Sequence, residues 1–185
     1  MVHFVGAGPG APDLITLRGA RLLQTADVII YAGSLVNEAL LENAKQGCEI
    51  YNSAHMTLEE VLHVIRMAHK AGKDVVRLHT GDPCLFGAIR EQMDALQKMG
   101  IAYDDTPGVS SFCAAAAALG AEYTLPGVSQ SVIITRMEGR TPVPEREKLE
   151  ILAQHGTSMV LFLSAGMTQR VQDALLAGDY TAAVS

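Results

Sequence analysis

Three short stretches combine residue types that can handle a small ligand: Gly6-Ala7-Gly8-Pro9-Gly10, Thr80-Gly81-Asp82-Pro83 followed by Leu85 and Gly87, and Pro107-Gly108-Val109-Ser110-Ser111. Each follows a short strand-like run and precedes a helical pattern. In an open α/β sheet, small molecules bind just outside the carboxyl ends of strands, where glycine-rich turns leave main-chain groups accessible. Gly81 permits close approach, Asp82 offers a carboxylate and Pro83 a fixed φ. Two readings stay open for Asp82: it accepts a hydrogen bond from a ligand, or it simply starts the following helix with Pro83. Ser110 and Ser111 present the same choice between ligand contact and N-capping.

The first glycine turn departs from the dinucleotide fingerprint. G-x-G-x-x-G needs its third glycine one residue later than Gly10, and Pro9 stands inside the turn. The acid that would hold a ribose is also missing, because the run Val28-Ile29-Ile30-Tyr31 ends in Ala32-Gly33-Ser34. A nicotinamide-binding reading therefore loses both of its main signals. The cysteines, Cys48, Cys84 and Cys113, are far apart and form no C-x-x-C pair, which argues for reduced thiols and against a disulfide framework or a zinc site. His63 and His69 lie on different sides of a helix, so no metal is expected. The net charge of −6 disfavours nonspecific nucleic-acid binding. No apolar run is long enough for a bilayer and the first residues lack a leader pattern, so a cytoplasmic location without membrane association is expected.

The elements that must position these residues are legible as patterns. Residues 2–5 form an apolar strand, and Thr16 caps a helix that buries Leu17, Ala20, Leu23 and Leu14. Residues 28–31 form the second strand. Asn37 caps a short helix with Leu40, Leu41 and Ala44, and residues 49–51 form a brief strand. Thr57-Leu58-Glu59-Glu60 has the capping-box form ahead of a stripe through Leu58, Val61, Leu62, Ile65 and Ala68. Val75, Val76 and Leu78 mark a central strand buried on both faces. A helix over 88–99 turns Ile89, Met93 and Leu96 inward, a strand covers 101–106, and an alanine-rich helix covers 112–119. The pattern predicts an α/β fold of two α/β domains with a mainly parallel N-terminal sheet. Breakers near Pro126-Gly127 place the boundary, giving an N-terminal domain at 1–120 with the glycine-rich loops and a C-terminal domain at 121–185. Strands at 131–135 and 159–163 and a helix at 167–176 follow. Ala182-Ala183-Val184 reads as the opening of a further strand, so the second domain is expected to be incomplete.

The glycine turns, taken with Tyr31-Ala32-Gly33-Ser34-Leu35-Val36 and in this order and spacing, resemble the tetrapyrrole (corrin and porphyrin) methyltransferase family over essentially the whole chain. Within it, the Tyr31 to Val36 segment, Asn52-Ser53-Ala54-His55-Met56-Thr57 and Thr135-Arg136 with Gly139-Arg140-Thr141-Pro142-Val143-Pro144 look like the branch that methylates precorrin-4 or cobalt-precorrin-4 at C11 in cobalamin biosynthesis. The resemblance implies an S-adenosylmethionine-dependent methyltransferase with the cofactor held between two domains. It carries cofactor contacts onto Pro9, Thr80, Gly81, Asp82, Leu85, Ser110, Ser111 and Leu163. It also implies a homodimer.

Relatives that act on uroporphyrinogen carry an aspartate and a lysine where this chain has Ala32 and, approximately, Ser53, so no catalytic acid or base is assigned. A substrate rich in carboxylates calls for cationic side chains, and Arg136 and Arg140 are the candidates, with Arg90 behind them. Family members usually continue for several tens of residues, so weak or absent catalysis is expected of this length alone. Rival readings are a ribosomal-RNA ribose methyltransferase or a diphthine synthase of the same superfamily, and a noncatalytic nucleotide-binding module.

Overall fold

The computed structural model describes residues 1–33, 35–178 and 180, and the chain divides into two compact units, Met1–Ala115 and Ala116–Ser185. The first unit runs β1 (Val2–Gly6), α1 (Leu17–Thr25), β2 (Val28–Tyr31), β3 (Glu49–Asn52), α2 (Leu58–Lys70), β4 (Val75–His79), α3 (Arg90–Lys98) and β5 (Tyr103–Thr106), and α4 (Ser111–Leu119) carries the chain across the division. The strands form one five-stranded sheet in the order β3-β2-β4-β1-β5, with every neighbouring pair parallel. All carboxyl ends therefore share one edge, and the turns after β1, β4 and β5 are neighbours there.

Alternation along the strands feeds two cores. Val2, Phe4, Val28, Ile30 and Val75 pack with Val61, Ile65 and Ala68 of α2 and Leu96 of α3, while Val5, Ile29, Val76 and Leu78 pack with Leu23, Ala26 and Leu40 on the other side. Such two-sided burial is why the strand sequences read as continuous apolar runs. Thr57 and Glu60 make the full capping box, and the inward positions Val61, Ile65 and Ala68 recur at helical spacing. Complete burial of Ile65 alone is worth about 1.5–3 kcal/mol.

Several boundaries and faces differ from the sequence reading. Thr16 caps α1 by accepting from the Gly19 amide at 3.1 Å, but Leu14 and Leu17 are exposed. The packed face of α1 runs through Gly19 and Leu23, and Leu17 lies about 200° around the helix from Gly19. The Asn37-led segment is a tighter 3-10 turn, Glu38–Asn43, with Asn37 still accepting from the Ala39 amide. The helix expected over 88–99 starts at Arg90, because Phe86 and Ala88 have φ of 57° and 51°, outside the helical region.

The second unit contains β6 (Val132–Arg136), α5 (Leu149–Ala153), β7 (Ser158–Phe162) and α6 (Thr168–Ala177). β6 and β7 pair in parallel, and Met137, Leu149 and Ala174 are the buried residues of a small cluster with Met159, Leu161 and Val171. The α5 turn was not anticipated. The expected strand opening at Ala182-Ala183-Val184 lies outside the described residues. Among the described residues no helix is long and apolar enough to cross a membrane.

Candidate functional site

At the shared carboxyl edge of the first unit, three turns meet backbone to backbone. Ala7 N–H donates to the His79 carbonyl at 2.7 Å, and Gly8 and Gly81 exchange two main-chain hydrogen bonds. A Cβ on Gly6 would stand 2.5 Å from the Gly81 oxygen and 2.6 Å from the Gly108 Cα. One on Gly108 would overlap that same carbonyl oxygen and lie 2.8 Å from the Gly6 Cα. Glycine is required at these positions by close approach rather than by dihedral angle, since neither has a positive φ.

Space remains on the outer side of this junction. A Cβ placed on Gly10 would meet nothing within 4 Å, and one on Gly81 would come no nearer than 3.6 Å to any atom, its nearest neighbours being the main chain of Val109, Ser110 and Ser111. A helix start beside such a turn can grip a polar, partly charged ligand. Pro9, Thr80, Asp82 and Leu85 are half-buried along this edge, Gly81 and Ser110 are buried, and Ser111 is exposed as the first residue of α4. The structure therefore brings together every first-unit residue expected to touch the cofactor.

Asp82 already has internal duties. Its Oδ1 accepts from the Cys84 amide at 2.8 Å and its Oδ2 accepts from the Gly108 amide at 3.1 Å. One carboxylate thus shapes its own turn and ties it to the turn after β5. Asp82 does not start the following helix, which begins at Arg90, and its visible work is joining two loops. Ser53 donates its hydroxyl to the Tyr31 carbonyl at 3.0 Å.

The sequence reading missed a buried polar group directly beneath the central turn. β4 is buried throughout, including Arg77 and His79. Arg77 donates to the Ile30 carbonyl at 3.0 Å and to the Gln92 side chain at 3.1 Å. Burial pulls its guanidinium down to about 10, so it remains charged at neutral pH. His79 is driven down to about 3 by burial and by the charge on Arg77, so it is neutral, and its Nε2 has no hydrogen-bond partner among the described residues. The buried Gln92 on α3 was the available signal: a polar residue at an inward helical position needs a partner.

In the second unit, Leu163 follows β7 with φ of 55° and is 70% exposed, an unusual backbone state for a leucine. Arg136 spends its guanidinium on the carbonyls of Thr141 at 3.1 Å and Pro142 at 2.9 Å, which folds the 136–144 segment back on the end of β6. Arg140, on the same segment, is exposed. In the first unit, Arg90 pairs with Asp94 along α3. A groove of about 230 Å³ beside Tyr51, His63, Met67 and Lys73 also reaches Val28 and Glu49, at the amino ends of β2 and β3 and so remote from these loops. No cluster of three or more potential metal ligands occurs among the described residues.

Comparison with known proteins agrees with this geometry. The family model for tetrapyrrole (corrin/porphyrin) methylases matches residues 1–185. The cobalt-precorrin-4 C(11)-methyltransferase of Methanocaldococcus jannaschii is 58% identical over 179 residues, which cover 97% of this chain and 69% of that protein. The X-ray structure of a cobalamin biosynthetic enzyme, cobalt precorrin-4 methyltransferase, superposes with a TM-score of 0.94 at 48% identity, covering 97% of this chain and 75% of the other. Uroporphyrin-III C-methyltransferase from Thermus thermophilus, complexed with S-adenosyl homocysteine, gives a TM-score of 0.78 at 29% identity, covering 97% of this chain and 73% of the other. With the family model spanning it end to end and the glycine junction in place, the chain belongs to the tetrapyrrole (corrin/porphyrin) methylases.

Proposed function

We propose that this protein is an S-adenosylmethionine-dependent C-methyltransferase acting at C11 of precorrin-4 or cobalt-precorrin-4 in cobalamin biosynthesis. The observation that carries the reading is the junction of Gly6, Gly81 and Gly108, which leaves a main-chain-lined edge at Gly8, Gly10, Gly81, Ser110 and Ser111. The junction fits a cofactor with a polar amino-acid end, because it holds the open Gly10 turn and the start of α4 at Ser111 together without bulky side chains between them. When bound, S-adenosylmethionine supplies a sulfonium-activated methyl group. Pro9, Thr80, Gly81, Asp82, Leu85, Ser110, Ser111 and Leu163 are the residues proposed to hold it.

Methyl transfer to a ring carbon forms a carbon–carbon bond as the methyl–sulfur bond breaks, and the ring then loses a proton. The protein's task is alignment and exclusion of water, and alignment alone can supply about 7–11 kcal/mol. No side chain is assigned as base, and the proton passes either to solvent or to a base yet to be identified. Arg140, exposed beside the Arg136-braced segment, is proposed to meet a substrate carboxylate, and Arg136 to set its position as well as to offer residual charge. Residues 1–120 serve as the cofactor-loop domain and 121–185 as the second domain in this reading, with a cytoplasmic homodimer as the working form.

Incubation with methyl-labelled S-adenosylmethionine and each of the two corrinoids tests the proposal. Label transferred to C11 of either one supports it. Transfer to RNA or protein instead, or binding of NADH in place of S-adenosylmethionine, would overturn it.

A further inference from the structure

The 80–87 loop is fastened to β5 and the turn after it by two side-chain bonds. Asp82 reaches the Gly108 amide, and the Cys84 thiol donates to Asp105 Oδ2 at 2.9 Å. Cys84 also gives its own amide to Asp82, so one residue connects both carboxylates. Asp105 lies on the edge strand β5 in register with Phe4, and its Oδ1 is buried without a hydrogen-bond partner among the described residues. Asp105 is half-buried, and a covered carboxylate oxygen without a partner is a poor choice for stability alone, because desolvation is offset only when the atom is satisfied.

The loop it holds needs fastening. Phe86 and Ala88 take left-handed φ values without being glycine, and a Cβ on Gly87 would run into the Pro83 carbonyl. Such backbone persists only where its surroundings over-determine it. We infer that Asp105 is a positioning residue, which grips the Cys84 thiol and thereby keeps the 80–87 loop in the form that receives the cofactor. The inference rests on the cofactor reading given above. A thiol is a weak donor, and bonding to a carboxylate strengthens it.

The pairing also holds an exposed cysteine in its thiol form. The bond to Asp105 first, then burial and the charges of Asp105 and Asp82, push the Cys84 thiol up to about 11, so little thiolate forms at neutral pH. That property provides a readout that a general packing role would not move.

The experiment uses the full chain carrying Cys48→Ser and Cys113→Ser, which leaves Cys84 as its single thiol. Reaction with a chromogenic disulfide reagent is followed against pH, and S-adenosylhomocysteine binding is measured by calorimetry in the same proteins. Asp105→Asn should lower the midpoint of thiol reactivity toward the ordinary range and speed reaction at mildly alkaline pH by about 10-fold or more. Asp105→Asn and Cys84→Ala should each weaken binding about 3- to 10-fold, and the double variant should lose no more than the worse single. Cys84→Ser keeps a donor and should return affinity to within about twofold. An unchanged thiol midpoint in Asp105→Asn, additive losses, or unchanged affinity would overturn the positioning role. A parent chain that fails to bind S-adenosylhomocysteine while the midpoint still shifts would overturn the cofactor reading, and the ligand-positioning role with it, leaving only the Cys84–Asp105 contact.

Discussion

The two units build parallel strands into different kinds of object. The first surrounds its sheet on both faces, with β2 and β4 buried throughout, and spends its carboxyl edge on three interlocking turns. The second pairs only β6 with β7 among the described residues, and every residue of β7 is half-buried. Backbone packing defines the first, whereas side chains such as Arg136 folding a loop define the second. Precision at the glycine junction therefore comes from main-chain contacts that no substitution can mimic, while the second unit should tolerate change.

The sharpest way to break this contrast is a pair of matched substitutions. Gly108→Ala drives a methyl group into the Gly81 carbonyl and should cost at least about 3 kcal/mol or abolish folding. Gly139→Ala in the second unit has nothing within 4 Å and should change stability by no more than about 0.5 kcal/mol in denaturant unfolding. Equal effects would erase the distinction.

A second test uses the buried histidine below the central turn. With His79 held near 3 in the folded chain and an unfolded value near 6.5, the unfolded state binds the extra proton between those limits. Stability from keeping His79 neutral is full above about 6.5 and falls as pH drops toward 3, by at most about 1.4 kcal/mol per pH unit. Urea unfolding over that range should show the slope, and His79→Gln should flatten it.

Smaller effects follow at the loop carboxylate and at the second-unit arginine. Asp82→Ala leaves two amides without their acceptor and should cost about 1–3 kcal/mol, with Asp82→Asn intermediate. Arg136→Lys forfeits the forked grip on two carbonyls and should cost about 0.5–1.5 kcal/mol, read as a shift in the unfolding midpoint. A larger loss at Arg136 than at Asp82 would reverse the ranking of the two units.

What could be read from the chain alone was whatever is local. The Thr16 and Thr57 caps, the Val61–Ile65–Ala68 stripe and the strand runs state their own structure within a few residues. The glycine turns were legible as turns, but the reason for Gly6 and Gly108 was not, because each is constrained by a carbonyl that belongs to another strand end. The same limit hid the polar contacts. Arg77 meets Gln92 from 15 residues away, Asp82 meets Gly108 from 26 away, and Cys84 meets Asp105 from 21 away, the first through the packing of α3 on the sheet and the other two across strand ends that the sheet order brings together. Leu17 misled because an apolar residue in the first turn of α1 looks inward until the packed face is known to run through Gly19 and Leu23.

The most direct measurement is backbone hydrogen exchange of the full chain with and without S-adenosylhomocysteine. Slowed exchange is expected in residues 6–10, 80–87 and 107–111, the segments joined at the glycine junction, with NADH producing no such change. Exchange that stays unchanged across all three segments, or protection there by NADH alone, would contradict the assignment of this edge as the methyl-donor site.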